Sequence, residues 1–127
     1  MKLRIKGNCL RLRTSRSEVT RLLEGDNLEE VIRFAPAANA KLSYSLRVDS
    51  SIDSLTVQYE GNSLSLLMPF SQAKTWGLTD QVEIAENINL GEFGLLEVLI
   101  EKDFACLDRS DEENRDTFPN PNAGTKC

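Results

Sequence analysis

Two Gly-Asn pairs, each set between short runs in which apolar and polar residues alternate, constrain the fold of this chain most strongly. The first pair is Gly7-Asn8 and the second is Gly61-Asn62. Gly and Asn tolerate the positive φ angles of a two-residue hairpin turn, and alternation with a period of two is typical of a strand with one buried face. The sequence therefore predicts two antiparallel hairpins of defined register.

In the first hairpin, a loop at Gly7-Asn8 places Lys6 opposite Cys9. One face then carries apolar side chains for a core, namely Leu3, Ile5, Leu10 and Leu12. The other face carries Cys9 and five cations, which we call the basic face: Lys2, Arg4, Lys6, Arg11 and Arg13. Like charges directly opposite each other destabilise a strand pair by up to about 1 kcal/mol. We therefore expect either an acidic group or water over the basic face.

The second hairpin has an apolar residue opposite an apolar residue at three successive pairs, which supports its register. The pairs are Leu55 with Met68, Val57 with Leu66, and Tyr59 with Leu64. Both turns are followed by the string Cys or Ser, Leu, one variable residue, Leu. This string could mark a duplication, but because the flanking residues differ, the sequence favours the recurrence of one turn chemistry.

The remaining elements follow from caps and periodicity. Ser15 and Glu18 have the spacing of a capping box and Gly25 supplies a left-handed stop, which predicts a helix over residues 16–24. A second helix is predicted from Pro69 to Gly77, with Phe70, Ala73 and Trp76 as its packing side. Further strands are predicted at 28–34, 42–48, 82–84 and 95–104, the last one central in its sheet.

About seven strands and two short helices predict an α+β, β-rich fold with a mainly antiparallel sheet or a partly closed barrel. A chain of 127 residues fits one domain, for which we predict residues 1–107. If the last strand lies beside the first hairpin, Glu97 and Glu101 are placed to face Lys2, Arg4 and Lys6.

Residues 108–127 form an acidic tail that contains Pro and Asn. Such a composition is typical of a disordered segment, but Phe118-Pro119 is unusual in a solvated tail. The alternative is a tail draped on the domain, where Asp111, Glu112, Glu113 and Asp116 supply the counter-charge of the basic face.

The charges that sum to −5 are unevenly distributed along the chain. Residues 1–21 carry seven cations and one acid, whereas residues 22–127 carry eight cations and nineteen acids. Neutralisation within the molecule is thus the simplest explanation of the basic face.

The chain has no apolar run near the length of a spanning helix and no secretory leader pattern. An odd number of cysteines, three, fits reduced thiols, and we predict a cytoplasmic location without a membrane partner.

The residue types that are absent argue against several kinds of catalytic and metal-binding site. The chain has no histidine, so it lacks the commonest general base and His-based metal ligation. A zinc site would have to use Cys106 and Cys127, with Cys9 as an optional third thiol, and a carboxylate such as Asp103. The cysteines lack the paired spacing typical of zinc sites. We predict no cofactor and no metal. Cys9 is either a small residue tolerated after a turn or a thiol made reactive by the surrounding cations.

An enzymatic alternative remains. Strands that line a barrel with cations, facing carboxylates able to hold Mg²⁺, would suit hydrolysis of a phosphorylated substrate in the style of triphosphate-tunnel enzymes. The candidate carboxylates are Glu83, Glu86, Glu97 and Glu101. Those enzymes begin with a Glu-x-Glu-x-Lys strand, and this chain has Lys2-x-Arg4-x-Lys6 instead. Nucleic acid is disfavoured as a partner because no aromatic residues interleave with the cations.

Motifs at both ends of the chain resemble those of a family of small, uncharacterised bacterial proteins. They are Lys-Leu-Arg-Ile-Lys-Gly-Asn at 2–8, Glu-Lys-Asp-Phe at 101–104 followed by Cys106-Leu107, and Phe-Pro-Asn-Pro at 118–121. The resemblance implies no activity, ligand or catalytic residue, but it implies that the tail belongs to the domain. The sequence therefore favours a non-enzymatic binding domain, whose basic face recognises an acidic protein segment or a phosphorylated small molecule. The oligomeric state does not follow from the sequence.

Overall fold

A computed structural model describes residues 1–104 and 115–119. In this part of the chain the strands are β1 (Lys2–Lys6), β2 (Cys9–Thr14), β3 (Leu28–Arg33), β4 (Lys41–Asp49), β5 (Thr56–Glu60), β6 (Ser63–Pro69), β7 (Glu83–Asn89) and β8 (Leu95–Lys102). The helices are α1 (Arg16–Leu23) and α2 (Phe70–Leu78), and a 3-10 turn spans Gly91–Phe93. The predicted α+β, β-rich class is confirmed.

The chain divides into two compact units. The first contains Met1–Val19 and the chain from Val82 onward, and the second contains Thr20–Gln81. The predicted single domain over residues 1–107 is a statement about independent folding and stays a prediction. The predicted tail from residue 108 lies mostly outside the described residues.

The first unit holds a four-stranded sheet with the order β1-β2-β8-β7. The outer pairs β1/β2 and β7/β8 are antiparallel, and the central pair β2/β8 is parallel. The first hairpin has the predicted register, with Lys6 opposite Cys9 and Lys2 opposite Arg13. The predicted central position of the last strand is also confirmed.

The second unit holds a sheet of the same design, with the order β3-β4-β6-β5. Its outer pairs are antiparallel and its central pair β4/β6 is parallel. Val57 lies opposite Leu66 and Tyr59 opposite Leu64, as predicted. Each of the two sheets has free edges in the described part of the chain, so neither sheet closes into a barrel.

The two sheets repeat one pattern along the sequence. Gly61 follows Gly7 by 54 positions, and the same offset relates every pair of the β1/β2 register to a pair of the β5/β6 register. It also relates the first residues of α1 and α2 and the parallel pairs β2/β8 and β6/β4. The prediction that only the turn chemistry recurs is therefore wrong, because strands, register and helix start recur with it.

Backbone hydrogen bonds at the two turns support this equivalence. The carbonyl of Asn8 accepts from the amide of Glu97 at 3.0 Å, and the carbonyl of Asn62 accepts from the amide of Ser43 at 2.9 Å. Both the acceptors and the donors are 54 positions apart. Each repeat, residues 2–49 and 56–102, contributes one hairpin to each unit. We call residues related by this offset equivalent.

The first helix forms as its sequence predicts. The Ser15 hydroxyl accepts from the Glu18 amide at 3.3 Å, while the Ser15 amide donates to the Glu18 carboxylate at 2.9 Å. This reciprocal capping satisfies amides that a helix start otherwise leaves without partners. Gly25 has a φ of +95°, in the left-handed region that ends a helix.

Three details of the sequence prediction are wrong. Ile5, which the alternation predicts to lie in the core, is 59% exposed because it lies on an outer strand. The second helix begins after Pro69 and passes through Gly77, and Phe70 on its predicted packing side is 44% exposed. Strand β7 is longer than predicted. Its many polar residues obscure the alternation of apolar and polar positions from which strands were predicted.

Candidate functional site

The first hairpin places its five cations on one face of the first sheet. Their side chains share that face because they occupy alternate positions on β1 and β2, and residues paired across strands point the same way. The tight turn depends on Gly7, whose φ is +56°, a value that other residues adopt at a cost. The apolar residues of β2 point to the opposite face, where Leu10 and Leu12 are buried.

The charge of this face changes from positive to negative across the sheet. The parallel register of β2 and β8 sets Cys9 beside Glu97, Arg11 beside Leu99, and Arg13 beside Glu101. The next strand adds Glu83, which pairs with Glu101. The face is therefore cationic on β1 and β2 and anionic on β8 and β7.

Neutralisation within the molecule accounts for two of the five cations. The guanidinium Nε of Arg11 donates to the Glu101 carboxylate at 2.6 Å, and Lys2 Nζ lies 3.6 Å from the Asp103 carboxylate. The hydrogen bond and charge of Glu101 raise the pKa of Arg11 above its ordinary value. The predicted approach of Glu101 to the basic face thus occurs at Arg11, because β8 lies beside β2 and not beside β1.

The other three cations of the basic face are Arg4, Lys6 and Arg13. Within residues 1–104 and 115–119, no hydrogen bond or ion pair engages their side chains. Arg4 lies directly opposite Arg11 in the register, so two cationic side chains occupy opposed positions on the same face of the strand pair. Like charges at directly opposed positions cost free energy, and Arg4 gains no hydrogen bond or ion pair in the described part of the chain.

A groove of about 620 Å³ opens over the basic face. Its lining comes from the first hairpin and β8: Arg4, Lys6, Gly7, Cys9, Arg11, Glu97 and Leu99. Three cations thus converge on one space, with Glu97 as the acidic member of the lining. Sequence reasoning found the cations from their alternation, but it missed Leu99, because the neighbour of β2 in the sheet follows only from tertiary pairing.

The equivalent hairpin of the second sheet shows what this architecture requires. At the positions equivalent to Lys2, Arg4, Lys6, Arg11 and Arg13, it carries Thr56, Gln58, Glu60, Ser65 and Leu67. Its central strands are joined by hydroxyl contacts, with the Ser43 and Ser63 oxygens 2.8 Å apart. The same hairpin beside the same parallel strand therefore forms without any of the five cations.

Cys9 is a half-buried free thiol within the groove lining. Cys106 and Cys127, which a zinc site would also need, lie outside the described residues. Among the residues that the structure describes, no group of three or more Cys, Asp or Glu side chains is arranged to hold a metal ion. Glu86, one of the four candidate Mg²⁺ ligands, faces away from Glu83, Glu97 and Glu101, because it pairs with Val98.

Residues 115–119, which belong to the first unit, contact the start of α1 and the residues that follow β8. The Asp116 carboxylate accepts hydrogen bonds from the Ser17 amide, at 3.0 Å, and from the Ser17 hydroxyl, and these bonds lower the pKa of Asp116. The Phe118 amide donates to the Asp103 carbonyl at 2.8 Å. The Phe118 ring meets the Phe104 ring edge to face, with centroids 6.1 Å apart. The acids at 111–113 lie outside the described residues.

A family model matches residues 1–122, which is nearly the whole chain. The chain belongs to DUF7009, a family of unknown function. The sequence-based resemblance to an uncharacterised family is thereby confirmed, while its bacterial distribution stays a prediction. Comparison with the curated proteins and with the solved structures finds no match. Membership of DUF7009 assigns no ligand to the groove.

Among the described residues of this DUF7009 member, no helix combines the length and the apolar character needed to cross a bilayer.

Proposed function

We propose that the protein binds an anionic ligand on the basic face formed by Lys2, Arg4, Lys6, Arg11 and Arg13. One observation carries the proposal: the equivalent hairpin has the same register and the same parallel neighbour with none of these cations. The cations are therefore dispensable for building the hairpin. A binding role explains why a protein of net charge −5 places them together at a cost in stability.

The geometry supports a ligand with several negative charges. Arg4, Lys6 and Arg11 line one groove, and Arg4 and Lys6 keep their donors available with respect to the described residues. A guanidinium group matches carboxylates and phosphates through two parallel hydrogen bonds, and an ammonium group adds a point charge. The ligand class is an acidic protein segment or a phosphorylated small molecule. Glu97 repels anions at the β8 side and so directs the ligand toward β1.

The expected affinity is modest. A solvent-exposed ion pair contributes about 0–1 kcal/mol and is screened by salt. Three such contacts, with the relief of up to about 1 kcal/mol of repulsion between Arg4 and Arg11, sum to at most about 4 kcal/mol and give a Kd on the order of 10⁻³ M for a simple polyanion. Ligand that binds only the folded state raises the melting temperature according to the ratio of its concentration to Kd.

The test compares charge removal on the basic face with equal charge removal elsewhere. The double variant Arg4→Gln and Lys6→Gln is matched by the double variant Arg33→Gln and Lys74→Gln, which removes two exposed cations of the second unit. Inorganic tripolyphosphate and an oligoglutamate peptide are titrated by calorimetry at about 50 and about 200 mM salt. We expect the first variant to lose binding by about tenfold or more and the control to keep it. Equal affinities in both variants would refute the proposal.

The enzymatic alternative receives no support of this kind. A triphosphate-tunnel mechanism needs a barrel whose strands surround the substrate, and each of the two described sheets is open at its edges. Its candidate carboxylates also divide between two faces of the first sheet. We therefore keep binding as the proposed function.

A cytoplasmic location is part of the same proposal. The odd number of cysteines supports it, because reducing compartments keep thiols free. Fractionation of cells followed by detection of the protein tests the location, and recovery in an oxidising compartment would contradict it.

A further inference from the structure

The strand that carries three of the five cations is an outer strand of its sheet. Among residues 1–104 and 115–119, β1 pairs only with β2, in the order β1-β2-β8-β7. Lys6 and Cys9 flank a two-residue loop, and such a flanking pair is joined by two hydrogen bonds. The bonding pattern alternates along an antiparallel pair, so the amide and carbonyl groups of Leu3 and Ile5 point away from β2. They form a row that an additional strand can pair with.

The side chains along this edge have an alternating chemistry. Lys2, Arg4 and Lys6 project on one face, and Leu3 and Ile5 project on the other. Ile5 is 59% exposed, so an apolar surface accompanies the row of cations. Two residues of a strand advance about 6.6–6.8 Å, so a paired strand with an acid at every second position places each acid beside one cation. Apolar residues between the acids would then lie beside Ile5.

The equivalent edge of the second sheet argues against a purely protective role for these cations. Lysine and arginine on an outer strand often prevent sheets from pairing edge to edge. β5 is also an outer strand, and its equivalent residues are Thr56, Gln58 and Glu60. Tyr59, equivalent to Ile5, is 66% exposed. The two equivalent outer strands, β1 and β5, therefore both expose an apolar residue, and only β1 carries cations beside it.

We propose that the anionic ligand is an extended acidic segment of a protein, which adds to the free edge of β1 as a fifth strand. The inference rests on the proposed function, since it names the ligand of the same basic face. Backbone pairing with Leu3 and Ile5 supplies affinity, and the alternating acids and apolar residues supply register and specificity. A phosphorylated small molecule can contact the cations, but it does not form strand hydrogen bonds with the outward amide and carbonyl groups of Leu3 and Ile5.

The test uses three probes on the full chain. The first is a labelled peptide in which three glutamates alternate with valines, the second has the same composition with its glutamates contiguous, and the third is inorganic tripolyphosphate. Fluorescence anisotropy gives the peptide affinities and calorimetry gives that of tripolyphosphate. We expect the alternating peptide to bind about tenfold more tightly than the contiguous one. Equal affinity of the two peptides would overturn strand addition and leave the anion-binding function standing, whereas failure of all three probes would refute both.

A proline substitution tests the backbone contact directly. Ile5→Pro removes an outward amide and keeps every cation, and proline is tolerated at the free side of an outer strand. The matched control is Tyr59→Pro at the equivalent position of β5. We expect Ile5→Pro to weaken the alternating peptide about tenfold with less than about a twofold change for tripolyphosphate, and Tyr59→Pro to change neither.

Three further measurements cover the remaining outcomes. If Ile5→Pro fails to fold, proline is placed at alternate positions of the peptide instead, and undiminished binding of that peptide would overturn the proposal. Amide exchange of Leu3 and Ile5 in the wild-type protein should slow when the alternating peptide is added. Sedimentation of the protein alone tests for a second copy as the occupant, and a dimer that the peptide cannot dissociate would overturn the acidic-segment partner.

Discussion

Replacing Arg4 with Gln should stabilise the protein, whereas replacing its cross-strand neighbour Arg11 with Ser should destabilise it. Each replacement installs the residue found at the equivalent position of the second hairpin, Gln58 or Ser65. The two arginines lie directly opposite each other, so removal of either one relieves the same repulsion. They differ in what else is lost, because Arg11 alone is bound to Glu101.

The magnitudes follow from these contacts. A like-charge pair across two strands costs up to about 1 kcal/mol, so Arg4→Gln should stabilise by about 0.5 kcal/mol. Arg11→Ser gains the same relief but leaves Glu101 without its guanidinium partner. The Glu101 side chain is only 12% exposed, and a hydrogen bond between charged groups is worth about 1.5–3 kcal/mol, less where one partner is partly solvated. The net loss should be about 1–2 kcal/mol.

The assay is thermal unfolding of both variants at low and at moderate salt. In a protein of this size, we expect a rise of about 2 °C for Arg4→Gln and a fall of about 3–8 °C for Arg11→Ser. The gain for Arg4→Gln should shrink as salt screens the repulsion. A fall of several degrees for Arg4→Gln at every salt concentration would refute the reasoning, because it would show that Arg4 stabilises the fold.

Three other predictions concern the C-terminal residues. Phe118→Ala should destabilise the protein by about 1–3 kcal/mol in denaturant unfolding, because it removes the aromatic pair with Phe104 and the buried part of the ring, and an unchanged unfolding midpoint would contradict this. Asp116→Asn should lower the melting temperature at neutral pH. Because bonds from Ser17 lower the pKa of Asp116 in the folded state, the difference should be full above the unfolded-state pKa and vanish as the pH falls through the folded one. A difference independent of pH would contradict this account. Replacing the acids at 111–113 with amides should tighten oligoglutamate binding about threefold in calorimetry, if the tail competes for the basic face, and an unchanged Kd would exclude that competition.

Local patterns predicted the elements that depend on local chemistry. The Gly-Asn turns determined the hairpin registers, and the Ser15 and Glu18 pair located the start of α1. These signals need only neighbours in sequence. The exposure of Ile5 did not follow, because alternation assigns a residue to a face but does not tell whether its strand is outer or central.

Features that depend on pairing between distant segments could not be predicted from the sequence alone. The parallel partners β2 and β8 lie far apart along the chain, so the sequence placed Glu101 near the basic face only on the condition that the two strands are neighbours. It predicted neither Arg11 as the partner of Glu101 nor the position of Leu99 in the groove. The repeat was visible only as a shared string at the turns. The flanking residues differ because one copy carries cations and the other polar or apolar residues, and the same difference now supports a functional basis for the basic face.

The most direct test of the central claim uses the equivalent hairpin as a control within the same molecule. Oligoglutamate is titrated into isotopically labelled protein, and backbone amide shifts are followed by NMR. The account predicts concentration-dependent shifts in β1 and β2, with no comparable shifts in β5 and β6. Equal shifts in both hairpins, or none in either, would contradict the claim that the cations of the first hairpin serve to bind an anion.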